Sequence, residues 1–216
     1  FHFIPERVLK KGEDYKDSAD YIIVATKVLP EIDIHNIIKE AVTPGSSIVL
    51  LQNGIDIEKP VAEKFPGNEI ISALAFICVS RAEYGSVNHQ DYGNLTIGRY
   101  PGGSSDKVLK LAEMFSKSGL NVDNTEDVIA ARWKKLLWNA PFNPLSVICG
   151  GANTREMLGN PEIKNLCIEI MKEVLILSIA DGHPLNEVMI RKNIKDTEIM
   201  TPYKTSMLLD YENKRP

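Results

Sequence analysis

Between residues 20 and 52 two short apolar runs flank one stretch of helical spacing, and no other feature constrains the fold as strongly. The first run, DYIIVAT at 20–26, is continuous and rich in β-branched residues, as expected of a strand buried on both faces. Residues 34–42 then repeat apolar side chains at helical spacing until Thr43, Pro44 and Gly45 stop them. A second run follows at 47–52 and ends in Asn53 and Gly54. Strand, helix and strand within about 35 residues make a βαβ unit, and therefore a parallel sheet. Such sheets take ligands beyond the carboxyl ends of their strands. Lys27 follows the first strand and Asn53 the second, so both are candidates to face a ligand. Alone, the lysine reads as a solvated loop residue and Asn53-Gly54 as an ordinary turn. Their occurrence at neighbouring strand ends is what raises them.

Further on, 69–79 is a third buried-strand pattern, while 85–98 alternates as antiparallel strands do, so the predicted sheet is mixed. Residues 105–118 carry an apolar stripe of Val108, Leu111, Met114 and Phe115, capped by Ser104 or Ser105 and ended by Gly119. The short polar segment 121–125 marks a domain boundary, dividing the chain into 1–124 and 125–216. After it no strand pattern recurs, and 127–143, 161–182 and 184–213 read as helices split by Gly and Pro. The opening FHFIPERVL reads as a strand and turn from the middle of a domain, without an initiator methionine. The start looks cut.

Several function classes are excluded by bulk properties. With 216 residues and 44% hydrophobic content the chain can build a proper core. A net charge of −4 offers no basic field for nucleic acid. The longest apolar runs, such as 70–79, are about half of what a membrane span needs. Cys78, Cys149 and Cys167 are odd in number and widely spaced in apolar surroundings, as expected of free thiols in the cytoplasm. His2, His35, His89 and His183 make no pair at metal-ligand spacing, and no metal is expected.

The chemistry concentrates in ARWKKLLWNAPFNPLS at 131–146, where Lys135, Asn139 and Asn143 recur at every fourth position in an apolar and aromatic setting. On a helix these three span a stripe of roughly 80°. A lysine in line with two carboxamides offers a proton donor beside neutral groups that both give and accept hydrogen bonds, which suits a small substrate rich in oxygen. Lys134 is the ordinary solvated counterpart. Pro141 is expected to kink the helix, and Pro144 to push Asn143 away from helical geometry. Asn153, in the loop that follows, reads by itself as part of a flexible connection, and Ser206 as an incidental helix serine.

In their order and spacing IIVATK (22–27), LLQNG (50–54), RWKKLLWNAPFNPLS (132–146), the Asn153 loop and TSMLLD (205–210) resemble the ketopantoate reductase (2-dehydropantoate 2-reductase) family over essentially the whole chain. The resemblance implies an α/β Rossmann-like NADP-binding domain, incomplete at its N-terminus, followed by an all-α C-terminal domain like that of 6-phosphogluconate dehydrogenase. It implies NADPH-dependent reduction of ketopantoate, a small 2-oxo acid, with Lys135 donating the proton. Asn139, Asn143, Asn153 and Ser206 would hold the substrate, Asn53 would stand where cofactor and substrate meet, and Lys27 would lie near the cofactor. No G-x-G-x-x-G occurs, so the phosphate loop and the reader of the 2′-phosphate are expected upstream of Phe1, and the family's acidic substrate residue just after Pro216. The alternatives are a paralogue reducing another small 2-oxo acid and an NADPH-binding sensor that has lost the chemistry. Helical domains of the wider group often pair, so a homodimer is an expectation, although the apolar stretch 166–179 reads as core before interface.

Overall fold

The computed structural model describes residues 4–15, 17–83 and 85–215. Its sheet runs in sequence order: β1 (Tyr21–Val24), β2 (Ser47–Leu50), β3 (Glu69–Glu83), β4 (Ser86–Arg99) and β5 (Asn121–Asn124). β1, β2 and β3 pair in parallel, β3 and β4 form an antiparallel hairpin, and β5 pairs parallel to β4. The mixed sheet expected from the alternation at 85–98 is therefore present. The polar segment after Gly119 is itself a strand, missed because three of its four side chains are exposed and give no apolar alternation.

Both sheet faces are covered, which is why β2 is buried at every position. Ile48 and Leu50 point to α1 (Ile34–Ile38) and α2 (Glu58–Lys64), where they meet Ile38 and Val61. Val49 points the other way, to α3 (Asp106–Lys117), where Val108, Leu111 and Ala112 pack with Ile71 and Ile97. Ser105 caps α3 by accepting from Val108 N at 3.1 Å. β1 departs from the expectation of burial on both faces: Ile23 is 49% exposed, and only Val24 of its four residues is fully buried. The strand expected in the opening residues is absent from 4–9, and its first three residues, 1–3, lie outside the described residues. α1 is also shorter than its pattern, since Ala41 N and Val42 N both donate to Ile38 O and tighten its end into a turn.

The second half consists of α4 (Val128–Ile148), α5 (Thr154–Gly159), α6 (Pro161–Ala180), α7 (Val188–Ile199) and α8 (Ser206–Glu212). The segment read as 184–213 is thus two helices, with Pro202 in the break. α4 runs unbroken through Pro141 and Pro144, and Asn143 stays helical despite the proline after it. Each proline forgoes one backbone bond, a cost of about 3 kcal/mol in an isolated helix. Burial of Leu137, Phe142 and Leu145 against α6 and the rest of the helical core offsets it. α6 is apolar on two sides. Cys167, Met171 and Val174 are core, as expected, whereas Leu166, Ile176, Leu177 and Ile179 are exposed.

Gly98, near the end of β4, lets the two halves meet: a Cβ there would stand 2.6 Å from Thr125 O, in the link that leads into α4.

Candidate active site

The register places the carboxyl ends of β1 and β2 level, with Val24 opposite Leu50, so the chain leaves both strands at the same edge. That edge, the start of the β3–β4 arm and helices α4, α7 and α8 enclose one cleft of about 1250 Å³. Lys27, Asn53, Lys135, Asn139, Asn143 and Ser206 all line it. Residues separated by up to 179 positions in sequence thus converge on one space, although each read alone had an ordinary explanation.

Lys135 occupies the floor. Its Nζ donates to Ala75 O on β3 at 2.7 Å, and no carboxylate pairs with it among the described residues. Burial, and secondarily the positive charge of Arg132, lower its pKa from 10.5 to about 8. Such a lysine is still mostly protonated near neutral pH but releases its proton far more readily than a solvated one. Asn139 and Asn143 continue the same wall, half-buried. Trp138 lies among them, stacked on Phe142 at 4.8 Å and anchored by Nε1 donating to Thr197 Oγ1 at 3.0 Å. Tyr203, held neutral by burial with a pKa of about 12, adds a hydroxyl to the lining.

Behind the wall lies a polar cluster. Arg132, 3% exposed, donates through Nε to the carboxylate of Glu58, itself 1% exposed, and Ser72 Oγ donates to the same Oε1 at 2.6 Å. Arg132 Nη1 donates to Gln52 O at 2.8 Å and Gly54 O at 3.1 Å. Its Nη2 is buried and has no hydrogen-bond partner among the described residues.

At the other rim α8 is locked in place. Thr205 caps it by accepting from Leu208 N, and its Oγ1 meets Ser146 Oγ at 2.7 Å, while Ser146 also donates to Asn143 O at 2.7 Å. Ser206 therefore stands at a helix start tied through Thr205 and Ser146 to the backbone of Asn143. Lys27 Nζ reaches Asp210 Oδ2 on α8 at 2.6 Å, and Arg215 Nε approaches the other oxygen of Asp210 at 3.3 Å.

Asn153 stands apart from this group. It is not among the cleft-lining residues, and its Oδ1 caps α5 by accepting from Arg155 N and Glu156 N, with Glu156 returning the bond to Asn153 N. Sequence reasoning passed over Arg132, Glu58, Asp210, Tyr203 and Thr197. Arg132 and Asp210 were inside quoted motifs, but nothing local marks an arginine as buried. Glu58 and Thr197 carry no signal until the fold brings them to α4.

A mostly parallel sheet whose strand ends face a helical domain across one deep cleft defines a two-domain protein of the dinucleotide-fold class. The ketopantoate reductase PanE/ApbA profile matches residues 2–102 and that family's C-terminal profile matches 127–216. The crystal structure of 2-dehydropantoate 2-reductase from Methylococcus capsulatus is 43% identical, with a TM-score of 0.92 over 100% of this chain and 69% of its own. The corresponding structure from Geobacter metallireducens GS-15 is 31% identical, with a TM-score of 0.90 over 96% of this chain and 69% of its own. A curated 2-dehydropantoate 2-reductase of Nostoc sp. is 32% identical over 91% of this chain, which spans 63% of that relative's length. The chain belongs to the ketopantoate reductase family.

Proposed function

We propose that this protein reduces 2-dehydropantoate to pantoate with NADPH, Lys135 being the proton donor. The observation that carries the reading is the ammonium of Lys135 on the cleft floor, with one neutral acceptor and a pKa of about 8. The level carboxyl ends of β1 and β2, with 25–29 and 51–53 open to the cleft, fit the nicotinamide end of such a cofactor. When bound, the cofactor supplies a hydride to the ketone carbon. As negative charge grows on the ketone oxygen, Lys135 stabilises it and gives up its proton there, so hydride and proton together make the alcohol. Asn139, Asn143 and Ser206 orient the substrate's hydroxyl and carboxylate, Asn53 stands between the two reactants, and Lys27 serves the cofactor. A substrate role for Asn153 would use its Nδ2, since its Oδ1 serves the cap. The smaller partner is the 2-oxo acid, and the exposed apolar residues of α6 are the face we assign to a homodimer. Three free cysteines accord with a cytoplasmic site, and no helix among the described residues is long and apolar enough to cross a membrane.

The test is NADPH oxidation by the full-length protein on ketopantoate and a panel of other 2-oxo acids. Preference for ketopantoate, with kcat of Lys135→Ala reduced by about 10² to 10⁴, supports the reading, as does a raised KM in Asn139→Ala and Ser206→Ala. Equal kcat in Lys135→Ala and the parent sinks the proton-donor assignment. Turnover of a different acid keeps the mechanism and changes the substrate.

A further inference from the structure

We propose that Arg132, held by Glu58, is a positioning residue that fixes where Asn53 stands relative to Lys135. The inference rests on the reductase reading for its catalytic meaning, but its geometry stands independently. Asn53 follows the carboxyl end of β2 in an exposed turn, and such turns wander unless their backbone is tied. The residue after it, Gly54, has φ of +127°, so the turn takes a shape that other residues adopt only under strain.

The two carbonyls bracketing Asn53, those of Gln52 and Gly54, converge on one nitrogen of Arg132 at 2.8 and 3.1 Å. The guanidinium cannot drift, because Nε is engaged by Glu58 from α2, and Glu58 is engaged by Ser72 from β3. One planar cation therefore joins β3, α2, the Asn53 turn and α4. Lys135 leaves α4 three residues after Arg132, about one turn along, and its Nζ is itself tied to β3 through Ala75 O. The distance between Asn53 and Lys135 is then set by a short chain of side-chain bonds. General packing of the sheet on the helical domain would leave it looser. An apolar pair of similar volume at 58 and 132 would support the fold equally well, but it could not hold two carbonyls, and a lysine, with its three donors on one nitrogen, lacks the planar fork that engages Glu58 through Nε and both carbonyls through Nη1 at once.

Two variants test this in the full-length protein. Arg132→Met combined with Glu58→Gln removes both charges, so no buried ion is stranded, and leaves Ser72 an acceptor. Arg132→Lys keeps the charge and loses the fork. The readouts are amide hydrogen exchange over 51–55 against that of β3 and α4, and kcat and KM for ketopantoate. We expect exchange in 51–55 to rise about tenfold or more in both variants while β3 and α4 keep their protection. We expect kcat to fall about 10- to 100-fold, with KM changing by less than about threefold. Uniform loosening of all three segments, or full rescue of kcat by Arg132→Lys, would overturn the proposal in favour of a general structural role, as would parent-like exchange and kcat in the double variant. If the parent turns over no 2-oxo acid but 51–55 alone loosens, the clamp stands and the reductase reading falls.

Discussion

Arg132 and Lys135 leave the same helix one turn apart and are both largely removed from water, yet their surroundings are opposite. Arg132 meets a carboxylate and two carbonyls, so its charge is compensated and its position fixed. Lys135 meets a single neutral carbonyl and the repulsion of Arg132, so its charge is left uncompensated at the cleft. The difference teaches how one segment can serve structure and chemistry together. A buried cation given partners becomes a joint, and one denied them becomes an acid.

The sharpest way to break this comparison is to strip the compensated partner alone. Arg132→Met leaves Glu58 buried and unpaired, and should destabilise the fold by about 3–5 kcal/mol in denaturant titration. The same change made with Glu58→Gln should recover most of that loss. Little difference between single and double variants would mean that the pair is not coupled as its geometry suggests.

Lys135→Met should act in the opposite sense and stabilise the protein at pH 7 by up to about 3 kcal/mol while removing turnover. The folded-state pKa, about 8, lies below the ordinary 10.5, so between those values the unfolded chain holds more protons. The parent therefore carries the full burial cost below pH 8 and gains stability as pH rises from about 8 to about 10.5. Subtracting stability curves of parent and Lys135→Met isolates that slope. A difference flat across this window would show that the lysine is not desolvated. If Lys135 donates the proton, kcat of the parent falls over the same rise, as its charged form is lost.

Lys134, between the two, is exposed and should report neither behaviour. Lys134→Ala is expected to change stability and kcat by less than about 0.5 kcal/mol in either direction. A larger effect would show that the helix surface at this point does more than meet solvent.

The βαβ unit, the mixed sheet and the helical second half were all legible in the sequence, because burial on a sheet or helix face writes its own period into the chain. Lys135, Asn139 and Asn143 were legible for the same reason, since spacing of four residues makes one helix face whatever lies opposite. Elements with little burial were not. The strand Asn121–Asn124 is mostly exposed, and the exposure of Ile23 depends on what lies over β1. Local rules also misjudged Asn143, which tertiary packing keeps helical despite the proline after it. Asn153 could not be placed from its position, because a capping asparagine and a substrate-facing one look alike in sequence. Glu58 and Arg132 lie 74 positions apart, and only the folded sheet brings the two together. The sequence by itself determined which faces are apolar and which helix carries the polar stripe, since both follow from local periodicity. Which of the neighbouring cations is paired, and how far burial lowers the pKa of the other, only the tertiary structure decided, because desolvation and charge compensation depend on groups distant in the chain.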